Sequence, residues 1–466
     1  MLFSSIPFLY YFFPLFLILY FAVPKVLKNS VILIFSLVFY AWGEPKYVFL
    51  MAATILIGYI SGILMDRLKS KKLKKLTMIA AAVICFGFLG YFKYVDFFIS
   101  NFNAVTGMSV PFLRVALPIG ISFYTFQIAS YIFDVYKGEA KAQYNVINFA
   151  AYVTMFPQLI AGPIVRYVDV ARELDNRTHS LAMISEGARR FIIGLGKKIL
   201  IANTLGELCD TFKASDDKTV LFYWVYAIAF SLHIYFDFSG YSDMAIGMGR
   251  IMGFHFIENF DHPFISGSIT EFWRRWHMSL GTWFRDYVYI PLGGNRVSKL
   301  RWFFNIFVVW GLTGFWHGAE WNFIAWGLMF GILLVIEKVW LLKHLQKSKV
   351  WNHFYVMFFI LISFVIFNSN NMTEALSYVG GMFGIGTTGL ANAEVFYYLR
   401  SYGPMMLIAA IGSTPLVVNV ATKLSAGEKT GKVVNIIEPI FLAAVLILCT
   451  AFLVDGSFNP FLYFRF

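Results

Sequence analysis

Apolar runs recur along almost the whole chain, separated by short basic or turn-forming stretches. Runs at 6–23, 31–42, 47–65, 78–98, 117–135, 147–164, 220–252, 302–312, 324–342, 355–367, 404–420 and 434–453 stand out. A bilayer core takes about 20 predominantly apolar residues of helix, so the longer runs read as spans and the shorter ones as partial crossings. The pattern predicts an all-α polytopic membrane protein of about eleven transmembrane helices plus re-entrant or interfacial ones. The first run lacks a basic leader and a small-residue cleavage site, so it should remain as a helix. The run at 147–164 is interrupted by Pro157 and by Gly162-Pro163. Breaks at membrane depth commonly line a cavity, because freed backbone groups need partners.

Basic residues set the orientation. DRLKSKKLKK at 66–75 is the densest basic run, and Lys25 and Lys28 follow the first span. Such clusters are retained in the cytoplasm. The expected frame has the N-terminus outside, Lys25 and Lys28 inside, Glu44 outside and 66–75 inside, with the C-terminus outside. A lipid-headgroup contact is also open to the 66–75 run, with plain topology the better reading of it. The formal charge of +12 follows from the same clusters, which lie between apolar runs, so no nucleic-acid partner is indicated. Charged residues make up 14% of the chain, against about 25% for a soluble domain. The three cysteines, Cys85, Cys209 and Cys449, have no metal-ligand spacing and read as packing residues. No internal repeat and no separate soluble domain is visible. One integral membrane domain, 1–466, is expected, with N-terminal helices at 1–140, core motifs at 230–330 and C-terminal helices at 350–466.

Candidate chemistry concentrates in three stretches. The first, GLTGFWHGAEWNFIAWG at 311–327, places His317 in an apolar segment. Gly311, Gly314 and Gly318 fall three and four residues apart, a bare helical stripe that lets a helix or a substrate approach closely. A titratable group there is costly, which makes a functional role the default reading. The alternative is a histidine that hydrogen-bonds a neighbouring helix. Glu320, three residues on, would orient the ring if the helix continued.

The second, FWRRWHMSLGTWFRDY at 272–287, follows Ser268-Ile-Thr-Glu271, which has the form of a capping box. At helical spacing Trp273, Trp276, His277, Leu280, Trp283, Phe284 and Tyr287 share a face, and Arg274, Arg275 and Arg285 lie mostly off it. An amphipathic helix at the membrane boundary is predicted, with His277 on its buried side. Pro291 and Gly293-Gly294 should end it, before Arg296. The third stretch, HIYFDFSGYSDMAIGMG, carries His233, Asp237 and Asp243. His233 and Asp237 are four apart, a hydrogen-bonded pair more readily than a metal site, so no metal is assigned. Asp243 is expected to neutralise a nearby arginine.

His179, His344 and His353 lie in or beside basic loops where solvated roles suffice, and His255 and His262 flank a turn where capping suffices. That leaves His277 and His317 as the candidates. A buried neutral imidazole fits a general base taking a proton from a hydroxyl that attacks an activated acyl group. No Gly-x-Ser-x-Gly elbow and no phosphate-binding Gly-rich loop is present. Membrane-depth His and Asp residues with broken helices would also suit a proton-coupled transporter, although such carriers usually show paired halves.

EFWRRWHMSLGTWFRDYVYIPLGGNR (271–296), FDFSGYSDMAIG (236–247) and GFWHGAEWNFIAWG (314–327) together resemble the membrane-bound O-acyltransferases. The likeness is to the bacterial branch typified by the alginate O-acetyltransferase membrane subunit, and the opening MLFSSIPFLYYFFPLFLILYF extends it over most of the chain. The subunit that moves D-alanine toward teichoic acid shares the histidine motifs, but PLGGNR and the length favour the polysaccharide branch. The resemblance implies helices around a central funnel, with His317 as the catalytic residue and His277 as the second family histidine. It implies transfer of an acetyl group from acetyl-CoA or another cytoplasmic thioester across the cell membrane, with no permanently bound cofactor. The acceptor side implies an SGNH-type acetyltransferase partner outside, and the donor side admits an acyl carrier protein. A basic inner face of Arg274, Arg275, Arg285 and Arg296 would suit the donor phosphates, or equally anionic lipid headgroups.

Overall fold

The computed structural model of the chain describes residues 1–160 and 162–456, where all regular structure is helical apart from one isolated antiparallel bridge between Phe260 and Trp276. The expectation for the tail at 457–466 therefore lies outside the described residues. Among those described, seven helices are long and apolar enough to cross a membrane. An eighth joins them if Ala393–Gly412 and Leu416–Ala426, bent by 61°, form one broken span. The break comes at Ser413 to Pro415, inside the run expected as continuous at 404–420. The other apolar runs form shorter helices such as Phe8–Ala22 and Ile121–Lys137.

Helix starts follow their local sequence. Ser70, Asn145, Ser298, Ser348, Asn371 and Asn392 each accept a hydrogen bond from a backbone amide in the first turn that follows. The span expected at 78–98 is longer in both directions, a helical stretch of 36 residues, Lys71–Thr106, with a π-helical turn at Gly90–Tyr94. Residues 99–106, beyond the end of that run, are thus helical.

The chain forms two compact units. One comprises Met1–Phe191 and Met244–Ile257, and the other Ile192–Asp243 and the chain from Glu258 on. In the first, Val48–Arg67 packs on Ile121–Lys137 through Gly58 and Gly62, where a Cβ would strike Ile128 and the Tyr131 ring. The interruption near Pro157 is present as two helices, Val146–Thr154 and Phe156–Leu159. The freed Phe156 amide donates to the Ser36 hydroxyl at 3.1 Å, so a side chain takes it up.

The second unit is built around the first 24 residues of the long helix Val220–Met252, of whose apolar window 72% is buried. By contrast Glu428–Asp455 buries only Gly431 and Cys449, so most of this helix is free to face lipid. Residues 191–212 are the end of Leu181–Gly196, a π-helical stretch Lys197–Ala202 and most of Asn203–Ala214. Lys198 there pairs with Asp237 at 2.5 Å and Lys197 with Asp243 at 2.7 Å. Asp243 thus has a lysine as a charge partner.

Candidate active site

All three candidate stretches contribute residues to the second unit. Of the expected stripe, Gly311 and Gly314 lie on Lys299–His317 and face a helix, whereas Gly318 falls past its end, extended and packed on the Phe323 ring. Gly314 lies against the backbone of Phe323 and Ile324, and Gly327 of Trp321–Ile336 lies against the Trp310 carbonyl and Gly314. A Cβ at Gly314 or Gly327 would collide with opposing backbone, so the two helices form a hairpin at near-contact distance.

His317 is the last residue of the first helix of that hairpin and is 4% exposed. The negative end of the helix dipole therefore lies at a ring that becomes cationic on taking a proton. Edge-on contacts to Trp326 and Phe367, both with centroids at 5.1 Å, hold the imidazole, and Trp316 packs at 4.9 Å. Because the helix ends here, the i, i+3 geometry expected for Glu320 is absent. Gly318 is extended, and Glu320 is an exposed residue at the N-cap of the next helix.

The segment expected as one amphipathic helix is divided at the histidine. Ile269–Arg275 ends at Trp276, His277 adopts a left-handed conformation (φ +46°), and Met278–Phe284 starts anew. A residue with a Cβ rarely occupies that region, so the surroundings must hold it there. Asp261 N–H bonds the Arg275 carbonyl at 2.9 Å, and Met278 N–H bonds the Asn259 carbonyl at 3.0 Å. These strand-like contacts to the 259–261 loop replace helical ones across the break. His277 is nevertheless buried as expected, at 2% exposure, with Phe238 at 4.7 Å and Trp316 at 6.0 Å between ring centroids. Both candidate histidines thus pack on the one Trp316 indole. His277 lies outside every candidate span, and burial pushes its imidazole down to about 3.

Two residues that the sequence analysis did not single out shape this site. The Asn259 carbonyl oxygen Oδ1 accepts from His277 Nδ1 at 3.1 Å, the Ser279 amide at 3.2 Å and the Ser279 hydroxyl at 2.9 Å. Its Nδ2 donates to Ser242 Oγ at 3.0 Å. The Glu337 carboxylate, fully buried, accepts from Ile269 N–H at 2.6 Å and from the Thr270 N–H and hydroxyl at 2.9 and 2.7 Å. It neutralises the amides that open the helix leading to His277. Ser268 caps that helix as expected, accepting from Glu271 N–H at 3.0 Å, while the Glu271 carboxylate reaches back to Gly267 N–H. A lone acid in the apolar run at 324–342 was the available signal for Glu337. Nothing comparable marks Asn259, a polar residue in a loop.

The four arginines are not equivalent. Arg275 bonds Asp261 at 2.8 Å and Glu271 at 3.0 Å, and Arg285 bonds its neighbour Asp286 at 2.7 Å. Arg274 and Arg296 are exposed. The turn between them and the hairpin uses Gly293 and Gly294 at positive φ, and the Asn305 amide donates to the Leu292 and Gly294 carbonyls. His233 is buried on the long helix and its ring faces Gly206. Among the described residues no three His, Cys, Asp or Glu side chains converge as a metal site needs. Of the remaining histidines, His344 and His353 are exposed as expected, and His255 bonds the Glu173 carboxylate. His179, expected in a solvated setting, is partly buried against the Tyr20 hydroxyl at 3.0 Å.

Comparison with known proteins identifies the family. The family model described as MBOAT, membrane-bound O-acyltransferase family, matches residues 7–377. A Pseudomonas putida protein named "Probable alginate O-acetylase AlgI" is 39% identical, with all of both chains covered. One of the same name from Pseudomonas aeruginosa is 44% identical over 84% of this chain and 76% of its own. The peptidoglycan O-acetyltransferase of Helicobacter pylori is 32% identical over 88% of this chain and 85% of its own. With a family match over most of its length and relatives matched end to end, this chain belongs to the membrane-bound O-acyltransferase family.

Proposed function

We propose that this enzyme passes an acetyl group from a cytoplasmic thioester, acetyl-CoA or an acylated carrier protein, to the outer side of the cell membrane for O-acetylation of an alginate-type polysaccharide. The relatives named as alginate and peptidoglycan O-acetylases support acetyl as the group and a polysaccharide as its destination. The family match runs through both compact units, which supports one catalytic domain rather than two. The observation that carries the reading is the packing of two buried imidazoles on one indole, at the end of a glycine-lined hairpin.

In this reading His317 is the base. It takes the proton of the acceptor hydroxyl as that oxygen attacks the thioester carbonyl and the thiolate leaves. The proton then passes to the thiolate, giving free thiol and ester. His277 is the second histidine of the site. The exposed Arg274 and Arg296 are the better candidates for donor phosphates, because Arg275 and Arg285 already hold carboxylates. The acceptor outside is a partner acetyltransferase of the SGNH type.

The test is reconstitution in proteoliposomes with radiolabelled acetyl thioester on one side. The enzyme consumes thioester, and His317→Ala slows it by about 10²- to 10⁴-fold. Flux of an intact solute without thioester loss would instead make the chain a transporter and refute the proposal.

A further inference from the structure

We infer that Asn259 is a positioning residue for acyl transfer: it fixes the His277 ring as the tautomer with its proton on Nδ1 and its lone pair on Nε2. The inference rests on the proposal that His277 belongs to the reacting site.

The argument turns on which end of the Asn259 amide is oxygen. The two ends have the same shape, but a backbone N–H can only donate. The Ser279 amide, 3.2 Å away, therefore identifies Oδ1 as the acceptor, and Nδ2 then points to Ser242 Oγ at 3.0 Å. That same oxygen lies 3.1 Å from His277 Nδ1. An oxygen that can only accept requires a proton on the nitrogen facing it, so in the neutral ring Nε2 is the unprotonated atom.

The clamp acts on backbone and ring together. Asn259, 1% exposed, also takes the Met278 N–H on its main-chain carbonyl, bracketing the left-handed His277 from the following residue. Phe238 and Trp316 pack against the ring from two other helices and oppose a flip. An imidazole so held presents one defined nitrogen to a reacting group, and a ring of the wrong tautomer presents a donor where an acceptor is needed.

The experiment uses the full chain, labelled with 15N-histidine and reconstituted in lipid, with the His277 signals identified by their loss in His277→Gln. Solid-state NMR of the unaltered protein should show a protonated Nδ1 and an unprotonated Nε2. Asn259→Leu should lose that pattern and lower kcat for thioester consumption on the order of a hundredfold, with the donor KM little changed. Asn259→Asp keeps an acceptor opposite Nδ1 and should restore the tautomer and most of the rate. An Nε2-protonated ring in the unaltered protein overturns the inference without need of a foldable Asn259 variant. Equal losses in the Leu and Asp variants, or a normal tautomer in Asn259→Leu, also overturn it. Full activity of His277→Gln would instead remove His277 from the reaction, a failure of the underlying reading that leaves the tautomer result intact.

Discussion

At the scale of single residues, the proposed chemistry rests on the electrostatics of a buried imidazole. His317 sits between aromatic edges at the carbonyl end of a helix, an environment that keeps water away and favours a transient positive charge. His317→Ala should reduce thioester consumption by about 10²- to 10⁴-fold while leaving membrane insertion unchanged, as read by single-turnover assay on purified protein. His277→Ala should impair the rate strongly, and an unaffected rate would make that ring structural. The His277 ring also predicts a pH response of stability. Its folded value of about 3 lies below the ordinary histidine value of 6.5, so between the two the unfolded chain binds the extra proton. Its contribution is complete above pH 6.5 and declines as pH falls from there toward 3. His277→Gln should flatten the acid side of a melting-temperature profile, and an unchanged slope would contradict the burial argument. His277 and His317 were legible in the sequence as titratable residues in apolar surroundings. Glu337 obeyed the same rule, yet its role as a distant helix cap could not be read, because the amides it serves lie 67 and 68 residues away.

At the scale of elements, the hairpin of Lys299–His317 and Trp321–Ile336 depends on the absence of side chains at its crossing. Gly327→Val should place a branched side chain on the Trp310 carbonyl and cost about 1–3 kcal/mol, visible as a lower melting temperature of the detergent-solubilised protein. Gly87, with no neighbour within 4 Å of an added Cβ, should tolerate valine far better. Glu337→Gln leaves one acceptor oxygen where two served three donors, and should cost about 1–3 kcal/mol with a matching loss of rate. The glycine stripe was visible as spacing, but whether a helix or a substrate filled it was not. The division at His277 was hidden for a different reason. The apolar positions from 273 to 287 satisfy a helical period on both sides of the break, and hydrogen bonds from the distant 259–261 loop are what interrupt it. Helical periodicity is a local signal, and it carries no information about a competitor for the backbone.

At the scale of the whole molecule, orientation in the bilayer is the testable quantity. The three native cysteines are buried, so a cysteine introduced within 66–75 offers a well-isolated label. A membrane-impermeant maleimide should fail to reach it in intact cells and should react after lysis, and labelling in intact cells would reverse the frame. Composition and apolar periodicity alone determined the all-helical, multi-pass architecture, since a bilayer admits little else for a chain this apolar. They also singled out two histidines, since burying a titratable group is costly wherever it occurs. The tertiary structure decided how those rings are held: Asn259 on one, Trp326 and Phe367 on the other, Trp316 beside both, and a carboxylate from a later helix at the start of the segment. Apart from Trp316 next to His317, those partners come from other segments of the chain, and only packing brings them within hydrogen-bond or ring-contact distance.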